Sequence, residues 1–197
     1  MRGLTPLVEK CGIICTVAVI ERRGTLSAKS RIVLVAACTW LLMTPWRLVA
    51  QESATAEEVI QKTRDAAEYL AREKAGGVDT FKSMQSQFVW KDDGYVFVFD
   101  CDHGMMLANP AFPENDDRSL ISVRDHNGLA IGDWLCKYGK RVGGGWFPAS
   151  TPKPGQFKGV RKLIFVRPVP GTTYQVGSGI YSETADLADL EKLSRGP

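Results

Sequence analysis

"YVFVFDCDHGMMLANP", Tyr95 to Pro110, is the stretch on which the fold turns. Tyr95, Phe97 and Phe99 alternate with Val96, Val98 and Asp100, a period of two carried by β-favouring residues. Asp102-His103-Gly104 reads as a tight turn with its glycine last, and Met105-Met106-Leu107-Ala108 as the returning strand. That is a β-hairpin.

Upstream, "SATAEEVIQKTRDAAEYLAREKAGG" offers Ser53 and Thr55 as caps and Glu57 and Glu58 in the first turn, where a helix favours acids. Val59, Ile60, Ala66, Ala67, Tyr69 and Leu70 form a helical stripe, and Gly76-Gly77 is a stop signal. The spacing predicts one long amphipathic helix over about 55–75, then a short helical stretch near 81–85.

Downstream lies a polar, proline-bearing excursion closed by an Asp125–Gly128 turn. Ile131, Trp134, Leu135 and Tyr138 recur at helical spacing, predicting a helix over 129–139. "GGGWF" leads into a strand, "PASTPKPGQ" reads as a proline-studded connection, and "VRKLIFVRPVPG" and "TTYQVGSGIY" as two strands joined at Pro170-Gly171. "SETADLADLEKL" is a closing helix with Ser182 as its cap. This order implies an α+β domain, an antiparallel sheet of about five strands with helices on one side.

Gly177 and Gly179 weaken the last strand, so their bare positions need a reason. They share one face with Tyr181. Either the long helix lies close against them, or they leave pocket room on the other face. Close helix packing is the expectation.

The formal charge of +3 is unevenly spread. Residues 1–50 carry 7 Lys/Arg against 2 acids, whereas 51–197 carry 18 against 20. The basic excess therefore belongs to the leader, and the body lacks what a nucleic-acid binder needs. In the leader, Lys29 and Arg31 precede the apolar run Ile32–Met43, then Thr44-Pro45 and "RLVA" ending at Ala50. That is a secretory signal pattern, with cleavage expected near Ala50 and an uncleaved membrane anchor as the alternative. The run is shorter than the ~20 residues that span a bilayer. Residues 1–25 are not needed by such a leader, and a start nearer Leu26 is the expectation. The domain assignment is thus a leader over 1–50 and one domain over 51–197.

Of five cysteines, only Cys101 and Cys136 lie in the body. In an oxidising compartment they can pair, and the alternative is two buried free thiols. His103 and His126 both sit in turns, and no zinc-ligand spacing is present. Asp92, Asp93, Asp100 and Asp102 lack the spacing of a calcium loop and read as solvated turn acids. No nucleophile elbow, phosphate loop or dinucleotide fingerprint appears, so no catalytic residue, metal or cofactor is expected. Arg124 and Arg141, flanking the middle helix, read as surface residues.

Taken in order, the long helix, "YVFVFDCDHGMMLANP", "RDHNGLAIGDWLCKYGKRVGGGW", "PKPG" with "RKLIFVRPVPG", and "YQVGSGIY" resemble a single Cache domain of type 2, a PAS-like extracytoplasmic sensor fold of bacterial chemoreceptors and kinases. The resemblance covers residues 54–193 and is closest to free-standing members with a signal peptide and no transducing module. It implies a long helix behind the sheet and a pocket for a small organic acid on the other face. The partners it implies are that ligand and a membrane receptor or kinase. Asn109-Pro110 stands where the family commonly has His-Pro. Phe147-Pro148-Ala149-Ser150-Thr151 replaces an aromatic pair, and Lys162-Leu163-Ile164-Phe165 keeps a cation but loses a phenol. The ligand-binding positions it implies are Lys162, Tyr95, Asn109, Phe147, Phe165 and Trp90. Taken alone, Lys162 either snorkels to water or meets an anion, and Tyr95 reads first as a core residue. The rival reading is a degenerate module that binds only protein partners, its pocket filled by its own side chains.

Overall fold

The computed structural model describes residues 52–196, so the leader and the expected cleavage near Ala50 lie outside the described residues. Helix α1, Ala56–Glu73, starts at Thr55. The Thr55 hydroxyl accepts from Glu58 N–H at 3.3 Å, and the Glu58 carboxylate accepts from Thr55 N–H at 2.9 Å. This reciprocal cap satisfies two amides that the first turn would otherwise leave unpaired. Val59, Ile60, Thr63, Ala66, Ala67 and Leu70 form its buried stripe. The helix stops earlier than its glycines suggested. Lys74 takes the left-handed φ of 54°, and a 3-10 segment, Lys74–Phe81, follows directly in place of the short stretch expected near 81–85. Gly77 is there for proximity, because a Cβ on it would sit 2.9 Å from the Tyr69 ring.

A short ribbon of β1 (Val89–Trp90) and β2 (Gly94–Tyr95) precedes the hairpin of β3 (Phe97–Asp100) and β4 (Met105–Ala108). Helix α2 spans Ile131–Gly139, and the strands β5 (Gly145–Pro152), β6 (Gly159–Pro168) and β7 (Tyr174–Tyr181) follow. The main sheet has the order β4-β3-β7-β6-β5, with every pairing antiparallel. β5 runs through Pro148 to Pro152, where a connection was expected. It is an edge strand, so the missing proline N–H groups need no ladder partner. Helix α3, Leu187–Ser194, is capped by Asp186, whose side chain accepts from Ala188 and Asp189 N–H, and not by Ser182. Ser182 instead accepts from Ala185 N–H in the preceding turn at 3.0 Å.

The helices occupy both faces of the sheet, not one. On one face α1 and α3 bury Val59, Leu70 and Leu190 against Val98, Leu163 and Ile180. On the other, α2 and the 109–130 excursion bury Ile131, Leu135 and Leu120 against Phe97, Ile164 and Val166. Cys101, just past β3, is disulfide-bonded to Cys136 of α2 with a Cα–Cα separation of 5.5 Å, which ties α2 to the sheet. Gly177 and Gly179 lie on the α2 face, which corrects the expectation that they admit α1. A side chain on Gly177 would collide with the Phe97 ring, and one on Gly179 would meet the stem of Lys162. Among the described residues no helix is long and apolar enough to cross a membrane.

Candidate functional site

Between the sheet and the 109–130 excursion is a cavity of about 550 Å³. Lys162 lies at its buried end. Strand alternation puts Lys162 and Ile164 on this face of β6, and Gly179 of the neighbouring strand leaves space for the lysine stem. Lys162 is 2% exposed, so it does not snorkel. Its Nζ donates to the Tyr95 hydroxyl at 2.8 Å and lies 4.0 and 4.7 Å from the centroids of the Tyr95 and Tyr181 rings. Tyr181 is held in turn by donating its hydroxyl to the Pro152 carbonyl at 2.7 Å.

An ammonium has three protons to donate, and one hydrogen-bond acceptor serves this one. The carboxylate whose charge reaches it, Asp93, is already occupied. It is buried, accepts from Ala54 N–H at 2.8 Å and pairs with Lys153 at 3.0 Å. Burial pulls the Lys162 pKa down to about 7, opposed by the Asp93 charge. Burial also drives the Tyr95 phenol well above its ordinary range, with the Tyr181 phenol adding to the effect, and pushes Tyr181 up to about 12. The phenols are therefore neutral near pH 7, while the amine sits on the edge of ionisation. An entering anion would supply both the missing charge and the missing acceptors.

Of the residues expected to bind ligand, Lys162, Tyr95 and Asn109 line this cavity. The Asn109 side-chain oxygen accepts from Phe112 N–H at 3.2 Å, so the amide NH2 is the group it retains for a ligand. Phe147 faces the same side but lies behind the cavity wall, its ring 5.4 Å from Tyr138 and 6.2 Å from Trp134. Phe165 and Trp90 belong to the opposite face, which corrects their assignment. Phe165 packs on Trp146 at 5.1 Å in the α1–α3 core, and Trp90 packs beside α1 with Lys62 Nζ 5.8 Å from its ring. Lys162 and Phe165 are three apart in one strand and so have opposite parity. That signal was present in the sequence.

Other lining residues are not among the expected ligand-binding positions. The Thr151 hydroxyl is buried without a hydrogen-bond partner. Arg118 and Arg124 stand exposed at the mouth beside Phe157, which is 94% exposed. Asp125 also reaches the cavity but is largely occupied, accepting from Asn127, Leu129 and Ser150 N–H at 2.8–2.9 Å. The acids read as solvated divide: Asp93 and Asp100 are each 2% exposed. Asp100 accepts from the Thr173 hydroxyl at 2.6 Å and from Asp102 and His103 N–H. Among the described residues no group of three His, Cys, Asp or Glu side chains could hold a metal ion.

Comparison with known proteins matches this arrangement. The family model described as Single Cache domain 2 matches residues 42–192. The methyl-accepting chemotaxis protein McpP of Pseudomonas putida (strain KT2440) is 24% identical over 142 residues. That match is 68% of this chain and 26% of the relative, so the chain spans about a quarter of that protein's length. A solved periplasmic sensor domain of a chemotaxis protein is similar with a TM-score of 0.53 and 22% identity, over 70% of this chain and 99% of that one. A solved Cache chemosensory domain, described for its recognition of carboxylic acids, has a TM-score of 0.47 and 17% identity, over 80% of this chain and 100% of that one. With its long helix behind the sheet and its cavity in front, the chain belongs to the Single Cache domain 2 family.

Proposed function

We propose that this protein is an extracytoplasmic, non-catalytic sensor domain that binds a small organic acid and passes its occupancy to a membrane receptor or kinase. One observation carries the ligand class: the Lys162 amine is buried at the end of an open cavity with the Tyr95 hydroxyl as its hydrogen-bond acceptor. A buried ammonium is expensive unless paired, and a carboxylate entering the cavity is the pairing this geometry leaves open. The signal pattern before Ala50 and the receptor relatives support the location and the partner. The rival reading, a module that binds only proteins, expected a pocket filled by its own side chains, and a 550 Å³ cavity bordered by Lys162 counts against that.

The test is a thermal-shift and calorimetric screen of the purified protein at pH 6.5 with small carboxylates and their uncharged amides. Acids should stabilise and bind where the matching amides do not. If no acid binds, the reading fails. Peptide mapping of exported protein should find a mature start near Gln51.

A further inference from the structure

The size of the cavity says more about the ligand than its charge does. At about 30 Å³ per water molecule, 550 Å³ holds roughly 18 waters, and an acid of four or five non-hydrogen atoms would displace only a small part of them. Pockets of roughly 300–1,000 Å³ are those that enclose drug-sized molecules. Part of the wall is apolar, formed by Phe97, Met106, Val123, Ile131, Leu135 and Ile164, and it lies beside polar groups that include Asn109, Glu114, Asp125 and Thr151. Water against that apolar part has few hydrogen-bond partners, so an apolar group that replaces it there gains affinity.

The mouth offers an independent observation. Phe157 lines the cavity yet is 94% exposed, a whole aromatic ring left in solvent beside an apolar passage. A ligand whose apolar far end reaches the mouth would cover that ring.

Building on the proposed function above, we infer that the anion taken by this cavity carries an apolar body about the size of an aromatic ring, with its carboxylate at Lys162 and its far end against Phe157. Thr151, whose buried hydroxyl has no hydrogen-bond partner, stands on the same wall and gives a ligand with one added polar group a place to use it. A two- or three-carbon acid would reach Lys162 and leave the rest of the cavity wet.

The test is calorimetric titration of the purified protein at pH 6.5 with acetate, propionate, butyrate, hexanoate and phenylacetate. Phenylacetamide serves as the uncharged match for the last. Affinity should rise about fourfold per buried methylene along the straight-chain series. Phenylacetate should bind at least tenfold tighter than acetate, and phenylacetamide should lose most of that affinity. Phe157→Ala, a change at an exposed side chain, should weaken phenylacetate several-fold and leave acetate unaltered. Affinity that peaks at acetate or propionate and then falls would overturn the inference while leaving the organic-acid reading intact. Equal binding of phenylacetate and phenylacetamide, or binding of none of the acids, would overturn both. A Phe157→Ala protein that binds phenylacetate as before would overturn the contact at the mouth.

Discussion

A Cβ on Gly179 would lie 2.9 Å from Lys162 Cε and would collide with the Leu163 carbonyl oxygen, so the bare position in β7 is what lets the lysine stem lean across the sheet toward Tyr95. Gly179→Ala should therefore destabilise the fold by about 1–3 kcal/mol, as overpacking of a closed site does. It should also weaken anion binding, because the amine must move. Gly76→Ala is the control. Nothing lies within 4 Å of its added methyl, and it should be neutral or stabilise by about 0.4–1 kcal/mol. Urea melts of the two variants should separate them.

Lys162→Met keeps the volume of the stem and removes the charge. Because the folded pKa of about 7 lies below the unfolded 10.5, the folded protein gives up this proton first as pH rises. The unfolded chain then holds more protons between about 7 and 10.5, so stability increases with pH across that window by up to about 1.4 kcal/mol per unit. Below pH 7 both states are charged and the burial penalty is fully present. Lys162→Met should abolish this slope and melt higher than the parent at pH 6. It should also weaken carboxylate binding by about 2–4 kcal/mol, the loss seen when one partner of a desolvated charge pair is removed.

Binding itself should follow the same proton. An anion prefers the ammonium, so carboxylate affinity should be highest below pH 7 and fall above it, by up to about tenfold per pH unit. Calorimetry in buffers of different ionisation enthalpy should record proton uptake on binding near pH 8. Affinity that is flat from pH 6 to 9 would contradict it.

Asp93 links two of these features. Asp93→Asn removes the charge that supports the Lys162 ammonium and that pairs with Lys153. The pH midpoint for carboxylate binding should move lower, and stability should fall by about 1–3 kcal/mol as buried hydrogen bonds near Ala54 and Lys153 weaken. A titration of affinity against pH checks the first effect, and denaturant melts check the second.

Reduction of the Cys101–Cys136 bond opens a 35-residue loop that includes the 109–130 wall of the cavity. Chain-entropy arguments put its contribution at about 3–4 kcal/mol. Melts with and without reductant should differ by that order, and reduced protein should bind carboxylates more weakly, since Leu135 beside Cys136 lines the cavity.

The regular elements were legible because their signals are local. The Thr55 cap and the stripe from Val59 to Leu70 predicted α1, and the alternation from Tyr95 to Asp100 predicted the hairpin. Lys162 was legible as a cation on an apolar strand, but its burial was not, since that depends on Gly179 and Tyr95 arriving from other strands. The sequence predicts too short a β5 because proline marks a break unless the strand lies at an edge, and edge position is a property of the whole sheet. Thr151 entered only as part of the stretch that replaces an aromatic pair, and Phe157 gave no signal as a site residue. Thr151 reaches the cavity because β5 continues through it, and Phe157 because of the path of the chain between β5 and β6.

The position of β7 bears on when this chain can fold. It is the last strand of this sheet in chain order, yet it lies at the sheet's centre, between β3 and β6. Until Tyr174–Tyr181 has emerged from the ribosome, β3–β4 and β5–β6 are two detached hairpins with open edges, and α1 lacks the middle of the strand surface it packs on. Pairings this distant in sequence form slowly. A protein proposed to leave the cytoplasm gains from that delay: the part of the chain made before β7 reaches an export channel still threadable.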